Sequence, residues 1–381
     1  MAIRVDVKPE LLRWARERAG AGLDDLAHRF PKLREWESGT AQPTFKQLEQ
    51  YAHATYAPFG YFFLAEPPVE QLPLPDFRTV GGQRIGLPSP NLLDTVYLCQ
   101  QRQEWYREYA QLQGQEPIGF VGSATLASDI EVTAVLIRHV LRFDIEERRQ
   151  MSSWAEALRR FIEQADALGV LVMVNGVVGN NTHRKLDPDE FRGFAMVDPL
   201  APLVFINGAD AKAAQMFTLA HELAHVWLGE SALSDVEPVV VPGQQVEAWC
   251  NRVAAELLVP LDLMQQEYRR GEDLRGALDR LARHFKVSTL VVLRRIHDAR
   301  GITTNQLREA YQGELERLRR VPKGAGGDFY LTQAVRVGKR FARALVTSTL
   351  EGQTLYRDAF HLLGFSKAAT FHELGHSLGI A

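Results

Sequence analysis

The sequence His221-Glu222-Leu223-Ala224-His225 lies inside a mostly apolar segment that ends at Gly229. On an α-helix, residues four positions apart differ by about 40° around the axis, so both histidine side chains project from one face, one turn apart. The apolar residues around the motif are Phe217, Leu219, Leu223, Val226 and Trp227. The segment therefore predicts a buried helix whose two imidazoles can share one metal ion.

The motif by itself is equally compatible with a solvated helix or a pair of satisfied surface histidines. A second predicted helix, QQVEAWCNRVAAELLVP (244–260), favours the metal site because it follows within reach. Catalytic zinc typically takes three protein ligands and leaves a fourth position to water. Glu247 is the predicted third ligand, because the 22 residues after His225 allow the second helix to fold back against the first. Glu222 is the predicted general base, which accepts a proton from activated water.

Other polar residues of the second helix are alternatives or supporting groups. Glu256 competes with Glu247 as third ligand, although its position near the helix end favours a cap or an ion pair. Asn251, one turn beyond Glu247, is placed to orient a ligand histidine. Cys250 is interpreted as a small core residue rather than a ligand. His183 and Tyr268 are candidates to stabilise an oxyanion, with ordinary surface roles as the alternative.

Three apolar segments upstream of the motif, 168–178, 191–198 and 202–208, are predicted strands, with a turn at 198–201 between two of them. The rest of the chain is mostly helical in pattern. The predicted fold class is α+β, a mostly helical multidomain chain with a small sheet packed on the helix pair that carries the metal motif. The strand around residues 193–196 is the candidate exposed edge for an extended substrate, unless another strand covers it.

Six prolines in residues 67–90 exclude a continuous helix or a central strand there, because proline lacks the backbone donor and fixes φ. A second break is predicted at the glycine-rich residues 323–327. The predicted domains are a helical domain 1–66, a linker 67–90, a metallopeptidase domain 91–262, a helical segment 263–322 with a helix-turn-helix pattern, and a C-terminal helical module 323–381.

Composition limits the class of protein. Of the 381 residues, 46% are apolar and 24% charged, which excludes a wholly disordered or collagen-like chain. Two cysteines, no signal-peptide pattern and no membrane-spanning segment predict a cytoplasmic protein without membrane contacts. Residues 269–343 carry 18 basic and 8 acidic residues, which indicates either a polyanionic or acidic partner or a solvated arginine-rich surface.

The sequences FTLAHELAHVWLG (217–229) and VEAWCNRVAAELLVP (246–260) resemble the ImmA/IrrE family of zinc metallopeptidases, bacterial and phage proteins that cleave helix-turn-helix repressors. The segment 191–208 is similar to the strand pair before that family's metal helix. The resemblance implies Zn²⁺ as cofactor, His221, His225 and Glu247 as its ligands, and Glu222 as general base. It also implies a protein substrate, an HTH-type repressor.

Residues 11–55 resemble a Cro/CI-type (XRE) helix-turn-helix domain. Only five residues separate Phe30 from Trp36, which shortens the recognition helix, and residues 1–58 carry nine basic against eight acidic residues. These features favour a degenerate domain for protein contacts or autoinhibition over one that reads DNA. A second segment, 278–302, also has a helix-turn-helix pattern, which is either a phosphate-contacting or protein-contacting surface or a helical hairpin that covers the core.

Similar architectures suggest an alternative function, an antitoxin-like regulator that neutralises a PIN-like nuclease toxin, with peptidase activity conditional or vestigial. The basic segment 269–343 and the last module, residues 328–381, would then be binding surfaces. The second HExxH match, His372 to His376, is predicted to be a surface helix end without metal, because only five residues follow it. The sequence leaves the oligomeric state open.

Overall fold

The computed structural model of the chain describes residues 3–70, 72–75, 79–80, 83–84, 88–234, 245–319, 334–365 and 367–380. It contains two compact units. The first comprises residues 1–73 and 86–96, and the second comprises residues 74–85 and 97–381. None of the described helices combines the length and apolarity needed to cross a membrane.

The first unit is a small helical domain. Its elements are α1 (Pro9–Arg18), α2 (Leu23–Ala27), α3 (Leu33–Glu37), α4 (Phe45–Thr55) and a 3-10 helix (Phe59–Phe63). Trp36 and Tyr51 are buried in its core, and Arg16 forms two hydrogen bonds of 2.7 and 3.0 Å with the buried Glu37 carboxylate. The helix α3 has five residues, the length that the short spacing before Trp36 allows.

The other elements follow in chain order, and α5 belongs to the second unit from Tyr97 onward. They are β1 (Thr79–Val80), β2 (Gln83–Arg84), α5 (Pro90–Leu112), α6 (Ile130–Leu141), α7 (Ile145–Gln150), α8 (Trp154–Ala167), β3 (Leu171–Asn175), β4 (Val177–Val178), β5 (Asn181–Lys185), β6 (Gly193–Met196), β7 (Leu203–Asn207), α9 (Lys212–Leu228), β8 (Ala232–Ser234), α10 (Gln245–Leu258), α11 (Leu261–Glu267), α12 (Leu274–Phe285), α13 (Thr289–Asp298), α14 (Thr304–Arg319), α15 (Lys339–Leu350), α16 (Tyr356–Leu363) and α17 (Ala368–Ser377).

A mixed four-stranded sheet in the order β3-β7-β6-β8 forms the centre of the second unit. Strands β3 and β7 are parallel, whereas β6 is antiparallel to both β7 and β8. All residues of β3, β6 and β7 are buried, as expected for continuous apolar strands covered on both faces. The α+β, mostly helical fold predicted from sequence is confirmed. The Asp198 carboxylate accepts the N–H groups of Leu200 and Ala201 at the predicted turn.

The expectation that strand 193–196 is an exposed edge is wrong. Strand β8, which follows the α9 helix, pairs with β6 through the register Phe194↔Leu233. Three residues of β8 were too few to show strand periodicity in the sequence, and the pairing partner is distant along the chain. The edge of the sheet on this side is therefore formed by β8.

The helix α9 lies at the centre of the core, with every residue from Gln215 to Trp227 buried. It packs against β6 and β7 of the sheet and against helices α8 and α10. The helix ends at Gly229, whose φ of 82° is left-handed. A Cβ there would lie 3.0 Å from the Cα of Gly122, so the helix end requires glycine for both reasons.

The C-terminal helices belong to the same compact unit as the sheet. Helix α15 packs beside β3, and the preceding Gly338 lies so close that an added Cβ would be 2.9 Å from the carbonyl oxygen of Val172. Within the predicted linker, residues 79–80 and 83–84 form a short antiparallel hairpin. Residues 71, 76–78, 81–82 and 85–87, and the predicted joint at 323–327, lie outside the described residues.

Candidate metal centre

The two motif histidines and Glu247 converge in the interior of the second unit. The Nε2 atoms of His221 and His225 are 3.1 Å apart, and both side chains are fully buried. Glu247, in the first turn of α10, places its Oε2 atom 3.2 Å from Nε2 of His221 and its Oε1 atom 3.1 Å from Nε2 of His225. Four potential ligand atoms therefore face one another.

This arrangement fits a zinc ion. Two nitrogens bound to zinc at about 2.05 Å with a tetrahedral angle would lie about 3.3 Å apart, close to the separation observed between the histidines. One candidate ligand atom from each residue lies within 4.8 Å of the other two, and among the described residues no other such group of three occurs. Two nitrogens and a carboxylate also match the chemistry of catalytic zinc sites.

Electrostatics favours the protonation states that bind metal. Burial lowers the pKa of His225 below its ordinary value, which keeps the imidazole neutral. Burial opposes ionisation of Glu247, but the charge interaction and hydrogen bond with His221, joined by those with His225, outweigh it. The pKa of Glu247 therefore lies well below its usual range, and the site combines a carboxylate with a neutral imidazole.

Glu222 is fully buried and adjacent in sequence to His221. Strand β6 passes so close to its carboxylate that a Cβ at Gly193 would lie 3.1 Å from its Oε1 atom. The same Cβ would lie 2.6 Å from Cγ2 of Thr218 and 2.9 Å from the carbonyl oxygen of Phe205. A buried carboxylate next in sequence to a ligand histidine has the chemistry of a group that can accept and return a proton.

Glu256, the competing ligand, lies elsewhere. Its carboxylate accepts hydrogen bonds from the Arg295 side chain and from the backbone N–H of Leu261. It therefore forms an ion pair and a backbone hydrogen bond at the C-terminal end of α10. The sequence predicted such a role from the position of Glu256 near the helix end. Cys250 is a buried core residue, and burial raises the pKa of its thiol well above the ordinary value.

The predicted role of Asn251 is not observed. Oδ1 of Asn251 and Nδ1 of His221 have no hydrogen-bond partner among the described residues, and His225 interacts with Glu247 and the backbone of Glu230 rather than with Asn251. One helical turn from Glu247 was the right spacing for proximity on α10, but spacing along one helix does not determine which neighbouring side chain on α9 is reached. His183 is exposed on β5, and Tyr268 lies beside Gly301.

The second HExxH match lies on α17, where His372, Glu373 and His376 are all exposed.

In the second helix-turn-helix pattern, helix α13 is mostly buried, and its Arg295 side chain is only 7% exposed. A helix with this burial covers the core, as in the helical-hairpin interpretation. Arg295 is not available to contact phosphates, because it bonds Glu256 and the Val259 carbonyl.

One set of residues that supports the site was missed in the sequence. Three arginines donate to consecutive carbonyl groups at the end of α10: Arg138 to Glu256 and Leu257, Arg148 to Leu258, and Arg295 to Val259. The last carbonyls of a helix have no intrahelical partner, and cations are favoured at that end. The arginines come from α6, α7 and α13, so no local sequence pattern could have revealed them.

Part of the second unit is similar to a known peptidase family. Residues 165–297, about a third of the chain, match the family model described as the IrrE N-terminal-like domain, a peptidase family (M78). The match supports the ImmA/IrrE family for this segment. It includes α9 and α10 and therefore all four candidate residues, so a metallopeptidase-like function is supported for the M78-like segment.

Residues 337–377, which include α15, α16 and α17, match a domain of unknown function (DUF8813). No curated protein matches the chain. The C-terminal HExxH match thus lies in a segment whose family has no assigned activity.

Proposed function

We propose that this protein is a zinc-dependent endopeptidase. The observation that carries the proposal is the convergence of the His221, His225 and Glu247 side chains, with Glu222 adjacent. The family match over residues 165–297 supports the peptidase class. His221, His225 and Glu247 would hold the ion, and three protein ligands leave a coordination position for the substrate.

When bound, zinc would supply Lewis-acid polarisation of the scissile carbonyl and lower the pKa of water. Glu222 would accept the proton of the attacking water and deliver it to the leaving amine. The low exposure of the three ligand residues excludes bulk water, which strengthens electrostatic interactions in the site. Hydrolysis by this route needs no covalent intermediate on the protein.

We also propose that the substrate is an extended segment of a regulatory protein, with a helix-turn-helix repressor as the expected example from the family resemblance. An extended peptide can add to an exposed sheet edge through main-chain hydrogen bonds. Because β8 covers β6, the strand proposed to pair with the substrate is β8 rather than β6.

The decisive experiment uses Glu222→Gln in the full-length chain. The variant should bind one zinc per chain, measured by atomic emission after dialysis, yet fail to cleave a fluorescein-labelled casein that the wild-type protein hydrolyses. Retained cleavage by Glu222→Gln would contradict the general-base assignment. Proteins that co-purify with this variant from its native host distinguish the two classes of partner: a trapped repressor supports the peptidase proposal, whereas a nuclease toxin supports the antitoxin-like alternative.

A further inference from the structure

The outer edge of β8 is occupied by another part of the chain. In an antiparallel pair, the N–H and C=O groups of alternate residues point toward or away from the partner strand. Leu233 lies opposite Phe194, and its N–H donates to the carbonyl oxygen of Pro75 at 3.0 Å. Pro75 therefore lies at the side of β8 that faces away from β6.

This edge is close to the candidate metal centre. Ser234, the next residue of β8, lies opposite Gly193 in the strand register. Gly193 is the residue whose added Cβ would lie 3.1 Å from Oε1 of Glu222. The contact between Leu233 and Pro75 is thus one residue along β8 from the position that faces the general base.

Residues 74 and 75 are placed differently in their burial and in their capacity for hydrogen bonds. Leu74 is partly buried, whereas Pro75 is exposed. Proline has no backbone N–H. Pro75 can therefore accept the hydrogen bond of Leu233 but cannot donate one in return, as another residue at this position could.

We propose that the segment of residues 74–75 occupies the edge of β8 where an extended peptide substrate pairs, and that the substrate must displace it. This inference rests on the proposed peptidase function. A substrate without proline at the pairing position can both accept from and donate to Leu233, so it gains a hydrogen bond that the internal segment does not make. The resting protein is thereby kept in a state of reduced affinity for peptides, and selectivity favours strand-forming segments.

The test weakens the segment in an inactive background. Leu74→Ser is introduced into the zinc-loaded, full-length Glu222→Gln protein, and binding of fluorescein-labelled denatured casein is measured by anisotropy. Affinity should increase about fivefold, because Leu74→Ser removes part of the buried apolar surface that favours the docked segment over a bound peptide. Val69→Ser is the matched control. It also replaces an aliphatic side chain by serine, but Val69 is 85% exposed. It should leave the affinity unchanged.

Hydrogen exchange provides a readout independent of activity and of metal. The Leu233 amide should exchange faster in Leu74→Ser than in the parent protein, while amides of β6 keep their protection. An acetylated synthetic peptide of residues 68–77 should reduce casein binding by Leu74→Ser to the parent level. Restoration by the peptide also shows that the variant is folded.

The outcomes separate this inference from the function on which it rests. Unchanged or weaker casein binding by Leu74→Ser overturns the inference, as does unchanged exchange at Leu233. Tighter casein binding without cleavage by any protein that retains Glu222 supports the occupied edge and contradicts the peptidase function. Cleavage by the wild-type protein, together with casein binding that Leu74→Ser leaves unchanged, supports the peptidase function and overturns the inference about the occupied edge.

Discussion

Gly193 on β6 lies directly against Glu222 on α9, because a Cβ at residue 193 would approach Oε1 of the carboxylate to 3.1 Å. The strand can cross the helix at this distance only where it carries no side chain. We therefore predict that Gly193 positions the predicted general base, because a side chain at this residue would displace the carboxylate of Glu222.

Gly193→Ala should lower kcat about ten- to a hundredfold, because small displacements of catalytic groups cost rate steeply, while zinc content stays the same. The added methyl would meet the Thr218 methyl at 2.6 Å, so Thr218→Ser in the same chain should restore part of the rate. Steady-state kinetics and zinc analysis check both variants. Gly313→Ala is the control, since a Cβ there meets nothing within 4 Å. Equal rates for wild type and Gly193→Ala would refute the positioning role.

Glu247→Ala should weaken zinc binding about a hundredfold or more, because loss of a ligand costs at least as much as loss of the groups that orient one. Zinc should raise the melting temperature of the wild-type protein but not of this variant. The paired variant His372→Ala/His376→Ala should keep the wild-type zinc stoichiometry, since these residues are exposed on α17. Zinc affinity that survives Glu247→Ala but is lost in Glu256→Ala would transfer the ligand role to Glu256.

Arg295→Met should destabilise the protein by about 3 kcal/mol, because it leaves the carboxylate of Glu256 buried without its cation. It also removes the donor to the Val259 carbonyl at the end of α10. Arg294→Met is the matched control: Arg294 pairs with Asp298 on a more exposed part of the same helix, and its loss should cost less than about 1 kcal/mol. Urea unfolding of the two variants gives the comparison, and equal stabilities would argue against the arginine cluster as a support of α10.

Asp166 should make stability depend on pH. Burial raises the pKa of its carboxyl from 3.8 to about 6, against the opposing backbone hydrogen bond from Arg340. Because the folded state then binds more protons between these values, the contribution of Asp166 to stability is present at low pH and is lost as the pH rises through about 6. The free energy of unfolding of wild type minus that of Asp166→Asn should fall by up to ~3 kcal/mol from pH 4 to pH 7. A pH-independent difference would show that the folded and unfolded pKa values of this group are alike.

The sequence was sufficient where the information is local. The spacing of His221 and His225 determines that they share a helix face, and the apolar residues between and around them determine that this face is buried. Gly229 marks the helix end because only glycine takes its left-handed conformation without strain. Glu247 could be selected as well, since the length of the loop and the start of α10 are visible in the sequence.

The tertiary structure alone decided which distant groups meet. Strand β8 covers β6, Pro75 reaches the outer edge of β8, and Arg295 bonds Glu256. Asn251 is an example of a contact that the spacing predicted and the packing did not form. It lies one turn from Glu247, yet it forms no hydrogen bond with either histidine. Periodicity reports which face of an element is apolar, whereas pairing between strands and contacts between helices depend on the whole packed core.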